Sequence, residues 1–186
     1  MTLALVPLLL GFLSGLAHGG KLDNVARTRF RLPWLVFSGL GLQIGGEIVA
    51  LFYPAYREGG RGAVTLGLSY LLVTAFVICN RRLPGAKLIA IGLALNLAVI
   101  LSNQGMPVSL RAAQAARIEV DGYLQSALKH RLMGPDTRLW FLGDLIPVPG
   151  IHKIISIGDV ILGAGIFTLM DALVRYRPKR LRSGSC

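Results

Sequence analysis

The sequence predicts an all-α, polytopic membrane protein with about five transmembrane helices and a partly re-entrant outer segment. Three observations support this fold class. Hydrophobic residues make up 53% of the 186 residues, a larger share than soluble domains usually carry. These residues are concentrated in long runs, each near the roughly 20 residues that a helix needs to cross the hydrocarbon core. Lys and Arg lie at the ends of the runs and outside them.

The apolar runs predict a single membrane domain that covers the whole chain, 1–186. The predicted spans are 1–17, 33–53, 62–79, 85–103 and 154–174, and the outer segment is 105–153. We expect the first span to be retained, because basic residues follow its apolar core, whereas a signal peptide carries them before the core.

The outer segment contains two stretches that differ from the spans. The stretch Leu139–Ile151 is too short to cross a membrane and contains Pro147 and Pro149, so we interpret it as interfacial or re-entrant. The stretch Met106–Leu132 has spaced apolar residues and predicts an amphipathic helix on the outer surface, with Ser109 as a cap at its start.

The distribution of basic residues predicts the orientation of the chain. The first loop, the third loop and the tail are basic; their residues include Lys21, Arg27, Arg29, Arg31, Arg81, Arg82, Arg175, Arg177, Lys179, Arg180 and Arg182. Short loops rich in Lys and Arg stay on the cytoplasmic side of a membrane. We therefore expect a bacterial cytoplasmic (inner) membrane protein whose N-terminus and outer segment lie outside and whose C-terminus is cytoplasmic.

The formal net charge of +11 has a simple explanation in this setting. In a soluble protein it would suggest nucleic acid as a partner, but here the basic residues flank spans and no nucleic-acid-binding motif accompanies them. The expected partners are the lipid bilayer and other membrane subunits, with no nucleic acid. The three histidines are scattered along the chain, so we expect no metal site, and no sequence motif calls for a cofactor.

Small residues four or five apart predict close helix packing in three of the spans. The pairs are Gly11 and Gly15 in the first span, Gly41 and Gly45 in the second, and Gly158 and Gly163 in the last. Membrane helices approach each other where small residues line one face. The three pairs together favour a tight bundle.

Polar residues in and near the spans form the candidate site. Gln43 and Glu47 are four apart and share one helix face. Ionisable groups within spans are costly unless they are paired or hydrated, so function is expected among them. The candidate cluster, mapped to a level near the outer leaflet, is Gln43, Glu47, Asn103, Arg138, Asp144, Lys153 and Asp159.

Two interpretations of this cluster compete. In one, the polar groups are structural bonds that hold the outer segment onto the bundle, and Asp159, three residues after Ser156, lies in the first turn of its helix. In the other, they line a hydrated, outward-facing cavity that binds a lipid headgroup, a quinone-like head or a small solute. In both, we predict one hydrogen-bonded network through Asp144 and Asp159, with Arg138 or Lys153 as the counter-charge.

Three ordered motifs in the outer half of the chain resemble a bacterial membrane family. They are NQGMPVS at 103–109, PDTRLWFLGDLIPVPG at 135–150 and SIGDVILGAG at 156–165, and the basic loop GGKLDNVARTRFR is similar too. The family is domain-of-unknown-function family 5317. The resemblance covers nearly the whole chain and implies a small multi-pass protein, but it implies no activity, cofactor or substrate.

Three functions therefore stay open at the level of sequence. The leading hypothesis is a non-enzymatic accessory or structural subunit. The second is a transporter or a lipid- or headgroup-binding protein that uses the polar cluster. The third is a membrane enzyme acting on a lipid-linked substrate with Asp144 or Asp159 as acid or base, although the chain carries none of the HExxH, GxxxxGK[ST] or GxSxG motifs.

Overall fold

The computed structural model describes residues 2–53, 55–56, 60–120 and 130–176, and these residues are mostly helical. The helices are α1 Thr2–Ala17, α2 Leu22–Ala26, α3 Trp34–Phe52, α4 Arg61–Cys79, α5 Ala86–Asn103, α6 Leu110–Ala115 and α7 Ile157–Arg175. Four of them, α3, α4, α5 and α7, are long and apolar enough to cross a membrane. The predicted class, an all-α polytopic membrane fold, is confirmed.

Helix α1 differs from the other four predicted spans in length. It has 16 residues, which corresponds to about 24 Å at 1.5 Å per residue. The hydrocarbon core is about 30 Å thick. The first predicted span therefore forms the expected apolar helix, but a shorter one than the four that reach spanning length.

The long helices pack in an open row whose order differs from their order in the chain. The principal contacts join α1 to α7, α7 to α5, α5 to α4 and α4 to α3. Gly11 lies against Phe167 and Gly15 against Val174, so α1 and α7 run in the same direction. Gly85 lies against Gly165 and Gly92 against Gly158, so α5 and α7 run in opposite directions. Helices α1 and α3 therefore form the two edges of the row.

One end of the row gathers the basic loops. The backbone N–H of Lys21 donates to the Val174 carbonyl over 3.0 Å, and the side chain of Asn24 donates to the same carbonyl over 2.8 Å. The Asn80 side chain accepts from the N–H of Arg31 and donates to its carbonyl, both over 2.9 Å. The first loop, the third loop and the C-terminal end of α7 thus lie together, as the charge pattern predicts.

The opposite end carries a segment that contains short strands. Strand β1, Met106–Val108, pairs in parallel with β2, His130–Leu132, and β3, Ile146–Val148, pairs antiparallel with β4, Lys153–Ile155. The predicted amphipathic helix over Met106–Leu132 is wrong at both ends, where β1 and β2 lie. Helix α6 is its observed part, Ser109 caps it through a 3.4 Å bond from the Ala112 N–H, and residues 121–129 lie outside the described residues.

The glycine predictions have mixed outcomes. A Cβ at Gly11 would lie 2.5 Å from the Phe167 carbonyl oxygen, and one at Gly15 would lie 2.5 Å from the Val174 Cβ. Close packing at these two residues is confirmed. At Gly41 and Gly45 a Cβ would meet nothing within 4 Å, so their predicted packing role within this chain is wrong, because α3 faces α4 with its other side.

Candidate functional site

Three side chains form a buried polar junction between α5 and α7. The Asn96 side-chain N–H₂ donates to Asp159 Oδ1 over 2.7 Å, and Ser156 Oγ donates to Asn96 Oδ1 over 3.0 Å. Ser156 and Asp159 also form a capping box at the start of α7, which satisfies N–H groups that have no partner inside the helix. The interpretation of Asp159 as a first-turn residue of its helix is confirmed.

Glycines bring the two helices close enough for this junction to form. A Cβ at Gly92 would lie 2.6 Å from the Gly158 carbonyl oxygen, and a Cβ at Gly158 would collide with Asn96 Oδ1. Gly85, seven residues before Gly92, and Gly165, seven residues after Gly158, face each other in the same way. Because these glycines have no side chain, the amide of Asn96 reaches the cap of α7 directly.

A second polar pair lies in the segment between α5 and α7. The side chains of His130 and Asp144 are 7% and 2% exposed, and His130 Nε2 is 3.5 Å from Asp144 Oδ2. The backbone of Asp144 also bridges to β1, since its N–H donates to the Pro107 carbonyl over 2.8 Å and its carbonyl accepts from the Ser109 N–H over 3.1 Å. Asp144 thus lies at the centre of the fold of this segment.

Asn103 at the end of α5 holds the loop that precedes the 3₁₀ turn Trp140–Leu142. Its side-chain N–H₂ donates to the Arg138 carbonyl over 2.8 Å, and its Oδ1 accepts from the Arg138 N–H over 2.9 Å. Arg131 Nη1 donates to the Asn103 carbonyl over 3.2 Å. These residues line a cleft of about 450 Å³, which is within the usual range for ligand pockets.

The candidate residues are therefore distributed over several separate places. Asp159 joins Asn96 and Ser156, Asp144 joins His130, and Asn103 joins Arg138. Gln43 and Glu47 are half-buried on α3, and Lys153 is half-buried on β4, where it pairs in register with Val148. A single network through Asp144 and Asp159 stays a prediction, although the two residues flank the base of the β3–β4 hairpin, where the Leu145 N–H donates to the Ile155 carbonyl.

Two polar junctions were not foreseen in their observed form. The i, i+4 spacing of Asp171 and Arg175 alone indicates a surface ion pair. That ion pair is present, but Asp171 is buried and also accepts from Ser14 Oγ over 2.9 Å. Asn80 is buried and joins two basic loops. The glycines beside Ser14 on α1 are the signal that would have indicated a buried partner for Asp171.

Comparison with known proteins places the chain in a family. The model for a family of unknown function, DUF5317, matches residues 27–170. The chain belongs to this family. It is also 30% identical over 182 residues to an uncharacterized protein of Thermotoga maritima, with 96% of this chain and 94% of the relative covered. No solved structure matches the chain. Membership of DUF5317 confirms the resemblance seen in the three motifs.

Proposed function

We propose that this DUF5317 protein is a non-enzymatic accessory or structural subunit of a bacterial inner-membrane assembly, and that it assembles through α3. The observation that carries the proposal is the position of α3 at the edge of the helix row. One side of α3 packs on α4. A Cβ added at Gly39 on this side would lie 3.0 Å from the Ser69 carbonyl oxygen. The opposite side faces away from every other long helix.

The open side of α3 has the composition of a helix–helix interface. Gly41 and Gly45 leave its backbone accessible, and the flanking Ile44 and Ile48 are 43% and 50% exposed. Helices in membranes associate where small residues allow close approach and where polar side chains can bond across the interface. Glu47 is half-buried beside this face, and no described residue forms a hydrogen bond or ion pair with it. A carboxyl group inside a span is costly unless it gains a partner.

The polar junctions support a structural role more than a catalytic one. Both carboxylate oxygens of Asp159 accept hydrogen bonds from Asn96 and Ser156, and Asp144 is 2% exposed. An acid or base needs access to its substrate, so the burial of Asp144 and the hydrogen bonds of Asp159 favour the structural role. The clustering of basic loops at one end of the row supports a cytoplasmic location for that end.

Site-specific photo-crosslinking in intact membranes tests the assembly role. We expect a benzophenone amino acid at Ile48 to give one discrete higher-mass adduct, because a partner helix would lie against it. The matched control is the same probe at Leu71 on α4, which is 56% exposed and is expected to face lipid. The combined replacements Gly41→Leu and Gly45→Leu should remove the Ile48 adduct by filling the interface.

The mass of the crosslinked adduct also identifies the kind of partner. An adduct at twice the mass of the chain identifies a second copy, and any other discrete mass identifies a different subunit. Equal adducts at Ile48 and Leu71, or none at Ile48, would contradict an assembly role for α3.

A further inference from the structure

We propose that the cleft at the end of α5 binds the phosphate headgroup of an anionic phospholipid. The first support is its location. Ser102, Asn103 and Gln104 line the cleft, and these residues form the last turn and the cap of a helix of spanning length. The cleft therefore opens where a span ends, which is the depth at which lipid headgroups lie.

Aromatic residues next to the cleft support the same depth. The 3₁₀ turn Trp140–Leu142 packs against α5, and the side chains of Trp140 and Phe141 are 60% and 49% exposed. Their rings contact each other edge to face with centroids 6.1 Å apart. Exposed Trp next to the end of a span is typical of the boundary between membrane and water. An apolar surface thus adjoins the polar cleft, as a lipid with a headgroup and acyl chains requires.

The cleft is lined by charged groups that suit one phosphodiester. The cleft is lined by Arg131, Arg138 and Asp136. Their charges sum to one net positive charge, which matches the single negative charge of a phosphodiester. The guanidinium group carries five N–H donors in a planar fork that matches phosphate oxygens. One donor of Arg131 holds the Asn103 carbonyl, and this bond orients the group while its other donors can serve a ligand.

The backbone around the cleft is held in place before any ligand binds. Three hydrogen bonds tie Asn103 to Arg138 and Arg131. The Gly134 N–H donates to Thr137 Oγ1 over 2.8 Å, and β2, which contains Arg131, pairs with β1. A preorganised site loses less entropy on binding than a flexible loop does.

Native mass spectrometry tests this proposal. The full chain is released from a neutral detergent that contains equal amounts of phosphatidylglycerol and phosphatidylcholine. We expect the wild type to retain phosphatidylglycerol. Arg138→Gln should reduce its retention at least about tenfold, the loss expected for one charge-assisted contact. Arg138 is the preferred variant because only its backbone takes part in the bonds to Asn103. Arg131→Gln is the second variant.

The matched control is Arg111→Gln, since Arg111 is exposed on α6 at the same end of the row and does not line the cleft. Retention unchanged in this control and reduced in Arg138→Gln supports the site. Equal retention of the two lipids by the wild type would overturn it, as would equal losses in Arg138→Gln and Arg111→Gln. Inorganic phosphate is added as a competitor; if it binds the cleft and phosphatidylglycerol does not, the lipid proposal is wrong. The lipid-retention result does not depend on the α3 crosslinking result, so either proposal can fail without the other.

Discussion

Single polar residues in this protein act mainly by joining elements that are distant in sequence. Asn96, Asn80 and Asn103 each connect a long helix to another part of the chain through two or more hydrogen bonds. An amide both donates and accepts, so it can satisfy two partners without introducing a charge. This property suits positions near or within an apolar layer, where an unpaired polar group is costly.

Two replacements of Asp159 distinguish the contribution of its hydrogen bonds to stability from that of its charge. Asp159→Leu should lower the free energy of unfolding by about 1–3 kcal/mol, since it leaves the buried Asn96 amide without its acceptor. Asp159→Asn keeps one acceptor oxygen and should cost less. Thermal unfolding in detergent, followed by circular dichroism, measures both changes. Glu119→Gln, at an exposed position, is the control and should leave the melting temperature unchanged. Equal effects of Leu and Asn would contradict a role in hydrogen bonding.

The individual residues also show how far the sequence determines the site. The spacing of Ser156 and Asp159 predicts that Asp159 lies in the first turn of α7, because this arrangement depends on residues only three positions apart. The partner of Asp144 could not be predicted in the same way. His130 reaches it only after β2 pairs with β1, and that pairing joins residues more than 20 positions apart.

At the scale of elements, helix–helix distances are set by where glycines face. Gly92 and Gly158 allow contact between the backbones of α5 and α7, whereas Gly41 lies on an open face. The bounds of the four helices of spanning length could be predicted to within a few residues, because length and hydropathy define such a helix. The strands could not, since each has only three residues and shows no periodicity. The predicted start of the last span at 154 falls within β4 for this reason.

Alanine replacements distinguish the packed glycines from the open ones. Gly92→Ala should destabilise the protein by about 1–3 kcal/mol, because the added methyl would press on the backbone of α7. Gly41→Ala adds the same group where it meets nothing, and the better helix propensity of alanine should leave stability unchanged or slightly higher. The melting temperatures of the two purified variants provide the comparison. A neutral Gly92→Ala would show that the α5–α7 contact is looser than the structure indicates.

At the scale of the whole molecule, the row of helices has a basic end and an end that carries the cleft. The basic residues Arg29, Arg31, Arg81 and Arg82 lie in loops that contact each other through Asn80. The sequence predicts which loops share a side, because that follows from counting spans. It does not predict the order of helices in the row, because apolar side chains pack against lipid and against other helices equally well.

Labelling with a membrane-impermeant thiol reagent in intact cells tests the orientation. In a Cys79→Ser background, we expect the native Cys186 to stay unlabelled until the cells are opened. A cysteine introduced as Asp136→Cys, on the exposed lining of the cleft, should react at once, because the positive-inside rule places the basic tail in the cytoplasm. The opposite labelling pattern would invert the proposed topology.

The pairing of α1 with α7 has a consequence for biosynthesis. Ser14 and Asp171 are 157 residues apart in the chain, so α1 leaves the ribosome well before its partner α7. At about 5–20 residues per second, the nascent chain needs about 8 to 30 seconds to supply that partner. Throughout this interval the face of α1 that contains Gly11 and Gly15 lacks its native neighbour. Translation must therefore pass α7 before the row can close, and a chain that stops before α7 leaves α1 without its neighbour.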